Sequence, residues 1–356
     1  MEVEHQPRER VKMKERTVYI IGAGASVEAG LPAGEGLKTE IASLLDYRGD
    51  NGDGLIDDAI RGFCRNPGAE IYDLNVYFKE CAHIAANMPL AISIDNFVDS
   101  QRDNKPLAFC AKLAIVKAIL DAESKSKIYT DYRNGKLIDF SGLGDTWYLQ
   151  FFRKLTENCT VDDLPHRLRL TTLVIFNYDR CVEQFLYHAL QSYYRVPRER
   201  AAELVSSMTI IHPYGTVASL PWQNGTGAFD SAYFGVPTAN PHNLCNMAGR
   251  IRTFTEGSDS EVIRVVYHSL ETASRVVFLG FAFHPINMEL ISEDLSGFDN
   301  ESPVRCYGTA FGMSEAAQHH AQRSIQSLYK NDVTVELTSV SCNQLFVEYS
   351  PVMGFA

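Results

Sequence analysis

Val18-Tyr19-Ile20-Ile21-Gly22-Ala23-Gly24-Ala25-Ser26-Val27-Glu28-Ala29-Gly30-Leu31-Pro32 reads as an apolar strand that runs without a break into a glycine turn and a helix start. Glycines at such a turn let the backbone approach a phosphate closely. Free N–H groups at the following helix start, with the helix dipole behind them, stabilise its negative charge. Gly22, Ala23, Gly24 and Ser26 are therefore candidate phosphate contacts, and a dinucleotide is the first ligand class to consider.

The spacing argues against an ordinary redox fold. A dehydrogenase fingerprint has its third glycine three residues after the second, to pack the helix tightly on the strand. Val27 stands there, and the third glycine comes late, at Gly30, followed by Leu31-Pro32.

Further along, the periodicity changes twice. Residues 1–16 are charged and polar without periodicity and read as a flexible leader. From about Asp46 to Pro165 apolar residues recur every three or four positions, as in Ile71, Leu74, Phe78, Cys81, Ala85 and Met88, in Phe109, Leu113, Val116 and Leu120, and in Trp147, Phe151 and Leu155. The spacing predicts amphipathic helices, forming an inserted helical layer over 46–165. After Pro165 short β-branched runs return, at Leu173–Phe176, Met208–Ile211, Val276–Leu279, Val304–Tyr307 and Val333–Leu337, separated by helical stretches. Continuous apolar strands alternating with helices predict an α/β fold, a doubly wound, Rossmann-like parallel sheet of about six strands, with its core over 17–45 and 166–350. Ligands of such sheets sit at the carboxyl ends of the strands.

Composition narrows the functional classes. The formal net charge of −11 argues against a main task of holding nucleic acid. No apolar run approaches the roughly 20 residues needed to cross a bilayer, so the expectation is a cytoplasmic chain without a membrane partner. The eight cysteines are scattered with no CxxC pair, and His319-His320 are adjacent and so point apart on a helix, so no metal site is expected. The stretch Asp46–Asp58 resembles a calcium loop. Aligning Asn51, Asp53 and Gly54 to it, however, puts Gly49 and Ile60 where carboxylates are required, which leaves a solvated turn.

Three later strands end in polar residues: Asn177-Tyr178-Asp179; His212-Pro213-Tyr214-Gly215; and Gly280-Phe281-Ala282-Phe283-His284-Pro285-Ile286-Asn287. Each alone reads as a helix cap or turn. Together with the glycine loop they converge on one edge of the sheet.

On these motifs, in this order, the chain resembles the sirtuin-like superfamily, and more closely its divergent bacterial branch of NAD+-hydrolysing anti-phage effectors than the protein deacylases. The resemblance covers roughly 17–40 and 170–350. Two departures are visible. Ala33-Gly34-Glu35 follows the proline where deacylases carry Asp-Phe-Arg, and no four-cysteine zinc ribbon exists; Tyr214, not a histidine, stands directly before Gly215. Whether His212 or Tyr214 fills the family's histidine position is open at this stage. The resemblance implies cleavage of the nicotinamide–ribose bond of NAD+ by water, with NAD+ as substrate and no metal. It implies Asn177 and His212 as catalytic residues, the first holding ribose hydroxyls or water and the second acting as base. Gly22, Ala23, Gly24, Ser26, Pro32, Asp179, Gly215, Gly280, Phe281, His284 and Asn287 would line the nucleotide, with Asp179 either orienting ribose or capping a helix. The other readings are NAD-dependent deacylation or ADP-ribosylation, and a non-catalytic NAD or ADP-ribose sensor. A free NAD hydrolase would poison its host, so control by self-assembly into a homo-oligomer, or by a separate sensor or ATPase subunit, is expected. The insertion and residues 216–270 are candidates for an interface or lid.

Overall fold

The structure, a computed structural model, describes residues 16–48, 52–65, 73–131, 134–223, 231–236, 240–253, 256, 259–292, 297–300 and 302–353. The leader apart from Arg16 lies outside this set, as do Gly49, Asn51 and Ile71.

Six strands form one sheet: β1 (Thr17–Ile21), β2 (Thr171–Ile175), β3 (Thr209–Ile211), β4 (Arg275–Leu279), β5 (Val304–Thr309) and β6 (Val333–Thr338). Their order is β3-β2-β1-β4-β5-β6, and every neighbouring pair is parallel. This is the doubly wound, Rossmann-like order, whose direction reverses between β1 and β4. All five residues of β1 and of β4 are buried. A strand covered on both faces is apolar on both, which is why Val18–Ile21 and Val276–Leu279 show no alternation. β6 lies at the edge, and its Val333, Val335 and Leu337 pack on the core while Thr334 and Glu336 stay exposed.

Helices fill the connections. Between β1 and β2 come α1 (Ala23–Ser26), α2 (Glu35–Leu44), α3 (Gly54–Cys64), α4 (Leu74–Asn87), α5 (Ile94–Asp99), α6 (Lys105–Lys125), α7 (Trp147–Thr156) and α8 (Leu164–Arg169). α9 (Cys181–Tyr194) and α10 (Arg198–Ser206) join β2 to β3, and α11 (Pro241–Ala248) and α12 (Ser260–Glu271) join β3 to β4. α13 (Pro285–Ile291), α14 (Glu315–Gln326) and α15 (Cys342–Glu348) complete the chain. No helix is long and apolar enough to cross a membrane among the described residues.

The helical stretch over 46–165 does not form one layer. Val18 and Ile20 of β1 face a core built with α3, α4, α5 and most of α6, joined by α11 from outside the stretch. Tyr19 and Ile21 face the other core, where Trp147, Phe151 and Leu155 of α7 pack with α8, α9 and α15. Alternate residues of a strand point to opposite faces, so the two halves of the stretch cover the two sides of the sheet. The calcium-like segment is a helix start: Asp53 accepts the Ile56 N–H at 3.0 Å and caps α3, and its carboxylate lies 3.2 Å from the Lys117 ammonium.

Candidate active site at the strand ends

The glycine turn and the loop after β4 meet as bare backbone. Gly22 N–H donates to the Leu279 carbonyl at 2.9 Å and Gly24 N–H to the Gly280 carbonyl at 3.0 Å. A Cβ on Gly22 or Gly24 would lie 2.6 or 2.8 Å from the Gly280 oxygen. Gly280 itself, at φ +54°, has the backbone of Gly24 and Ala25 where its side chain would be. The glycines are thus required by protein packing at the switch point. Ala25 N–H is also engaged, with the Gly22 carbonyl at 3.0 Å. The Gly22 and Gly24 N–H groups expected to face a diphosphate thus have protein partners in this structure. The exposed edge of the turn is Ala23, with Gly24 half-buried.

The turn after β2 is held by side chains, each with its own partner. Asn177, 7% exposed, donates Nδ2 to the Gly22 carbonyl at 3.1 Å and to Ser26 Oγ at 2.9 Å. A carbonyl only accepts, so this contact orients the amide and turns Oδ1 the other way. Oδ1 is buried without a hydrogen-bond partner among the described residues. Ser26 Oγ donates onward to Asp179 Oδ2 at 2.8 Å, while Asp179 Oδ1 accepts the Cys181 N–H at 3.0 Å. Asp179 therefore takes the first N–H of α9 with one oxygen and anchors the glycine turn with the other. Arg180 and Glu123 form a fully buried ion pair, at 2.5 and 3.1 Å. Further hydrogen bonds run from Arg180 to the Ala232 and Tyr233 carbonyls and from the Gly235 N–H to Glu123, which fasten the 231–236 segment over α6.

Tyr178 links this turn to the helical body. Its hydroxyl lies 2.8 Å from both Asp95 Oδ1 and the Arg252 carbonyl. A phenol has one proton, so both contacts are full hydrogen bonds only when the Asp95 carboxyl contributes a second. Burial pushes that carboxyl up to about 6, against the opposing pull of the Tyr178 hydrogen bond.

His212 is held at both nitrogens. Nδ1 lies 2.9 Å from the Asn177 carbonyl, which requires an N–H there, and Nε2 lies 2.9 Å from Glu183 Oε1. Burial disfavours the imidazolium, but the Glu183 carboxylate outweighs it and the pKa of His212 is raised. Both ring nitrogens are engaged within the protein, so in this arrangement His212 holds the Asn177 backbone against Glu183. Tyr214, in the position before Gly215, is buried and donates to Asn287 Oδ1 at 2.9 Å.

The other candidates separate. Gly215, at φ +77°, packs on the Arg250 carbonyl. Phe281 is buried, its ring 5.1 Å from Phe176 and 5.3 Å from Phe283. His284 stands at the N-terminus of α13, and Pro32 packs near Gly36 at the start of α2. Glu183 and Asp95 escaped the sequence reading. An acid between Val182 and Phe185 on an otherwise apolar helix face was the signal for Glu183; Asp95 carried none. Among the described residues no three His, Cys, Asp or Glu side chains are grouped to hold a metal.

No protein-family model and no curated protein matches the chain. A crystal structure of a Sir2 homolog–NAD complex aligns over 98% of this chain and 96% of that one, at 12% identity and a TM-score of 0.38. The fold assignment rests on the strand order and register of this chain.

Proposed function

We propose that the chain hydrolyses NAD+ at the carboxyl ends of β1, β2 and β4. The C1′–N bond to nicotinamide breaks with its electron pair leaving on nicotinamide. A water oxygen bonds to C1′ and gives up one of its two protons to solvent, and the products are nicotinamide, ADP-ribose and that proton. The observation that carries this reading is Asn177: a buried amide, locked at Nδ2 by Gly22 and Ser26, with an Oδ1 beside the switch point that has no partner among the described residues. Buried polar atoms are nearly always paired, and a ribose hydroxyl or the attacking water is a fitting donor. The cationic, oxocarbenium-like sugar that forms is stabilised by the same oxygen. The diphosphate would meet the exposed Ala23 edge, since its neighbours' N–H groups are engaged. His212 serves as base only on leaving Glu183.

That engagement favours a second reading in one respect, a protein that binds NAD or ADP-ribose without cutting it. The physiological role we propose, as effector of a bacterial anti-phage system acting as a homo-oligomer or with a sensor or ATPase subunit, rests on the motif resemblance. The test is nicotinamide release from NAD+ by wild-type and Asn177→Ala protein, alone and with the products of neighbouring genes. Turnover by wild type and a loss of at least about 100-fold in the variant are expected. Equal turnover by both removes Asn177 from the mechanism, and NAD+ binding without turnover under every condition replaces the hydrolase with the sensor.

A further inference from the structure

A cavity of about 1170 Å³ opens among α3, α6 and α11, and none of the strand-end candidates lines it. In the whole chain Asp and Glu outnumber Lys and Arg by 44 to 33. Among its described lining residues that balance is reversed, with five Lys and Arg side chains against three Asp and Glu. Lys112 is held by Glu256 at 2.6 Å, and Arg61 and Arg102 by carboxylates of neighbouring turns at 2.9 and 3.5 Å. Each pair has an exposed member, and such pairs are weak enough for a multiply charged anion to displace. Arg65 and Lys105 stand exposed at the rim. Beside the cations, the half-buried rings of Phe63 and Phe109 stack at 4.4 Å and also line the space. An aromatic platform next to a cationic wall fits a planar base carrying phosphates.

We infer that this cavity binds a nucleotide, with phosphates on Arg65, Lys105 and Lys112 and the base against Phe63 and Phe109. Its lining continues through Gly249 and Thr253. The backbone between them seats the strand-end site: the Arg250 carbonyl packs on Gly215, Arg252 N–H donates to the Tyr214 carbonyl at 2.8 Å, and the Arg252 carbonyl accepts from Tyr178. An occupant therefore bears on the segment that positions Tyr178 and Tyr214. This coupling rests on the hydrolase reading; the binding does not.

The probe is ATP, which has no nicotinamide to lose, titrated calorimetrically into the full chain. Saturable binding is expected, weakened at least about tenfold by Arg65→Glu with Lys105→Glu and by Phe109→Leu, and unchanged by Asn177→Ala. Both charge reversals are at exposed positions and leave the core intact. Absence of saturable heat up to about 1 mM ATP overturns the inference, as does binding that ignores the charge reversals. So does a response in which pyrophosphate competes equally and Phe109→Leu changes nothing, because the site is then one for anions. NAD+ turnover without ATP decides the hydrolase reading separately.

Discussion

The turns after β1 and β2 sit side by side at the switch point, yet they are held by opposite means. The first is shaped by the absence of side chains, Gly22 and Gly24 lying directly on the backbone of Gly280. The second is held by four consecutive side chains, Asn177 to Arg180, whose partners include Gly22, Ser26, Asp95 and Glu123. The contrast separates two tasks. Backbone packing fixes how the β1 and β4 loops meet; the side-chain network fixes which polar atoms lie beside them. Breaking the first should cost the fold, whereas the second should yield separable effects.

The largest effect is expected at Gly280→Ala. The residue is left-handed and its Cβ position is filled by main chain that cannot rotate away. We expect a loss of about 4 kcal/mol or more, seen as insoluble protein or early urea unfolding. A near-wild-type midpoint would show that the β1 and β4 loops separate without cost. Next comes Arg180→Ala, which leaves Glu123 charged in the core. A loss of about 3–4 kcal/mol is expected, with most of it recovered by Arg180→Met together with Glu123→Leu. Failure of that pair to recover stability would point to a need for the charges themselves.

Glu183→Gln is expected to cost about 1–2 kcal/mol and to change the pH profile. The pKa of His212 is raised in the folded protein. Its contribution is therefore fully present below the unfolded value and is lost as pH rises through the folded one. Unfolding in urea across that interval should show stability falling with pH in wild type and a flatter curve in the variant. Parallel curves would sink the His212–Glu183 pairing.

A gain rather than a loss is expected of Asp95→Asn. Here too the folded state binds the proton more tightly, from an ordinary value of 3.8 up to about 6. The proton's stabilisation is present below the lower value and disappears as pH rises past the upper one. The neutral amide should match wild type in acid, show no such fall, and be the more stable of the two at neutral pH, because it removes a buried charge. Lower stability at neutral pH would mean that Tyr178 needs the carboxylate.

Much of this arrangement could be read along the chain. The apolar runs of β1, β2 and β4 are uninterrupted because both faces are covered, and that pattern alone predicts a parallel sheet. The glycine turn and Asn177-Tyr178-Asp179 were recognisable as strand-end features for the same reason. Their partners were not. Ser26 and Asp179 are 153 residues apart, and Tyr178 and Asp95 are 83 apart. Hydrogen-bonding capacity is written in a residue's type, but its partner is set by how distant segments pack. The 46–165 stretch shows the same limit: its periodicity marked helices, while the face of the sheet each helix covers depends on which side of β1 it meets.

Local chemistry therefore determined the strands, the helices, the glycine turn and the list of polar candidates, since periodicity and missing side chains are properties of consecutive residues. Tertiary packing decided their roles. It placed Gly280 against the glycine turn, paired His212 with Glu183, and left Asn177 Oδ1 unsatisfied, because burial and the direction of a hydrogen bond arise only when separate segments share one interior.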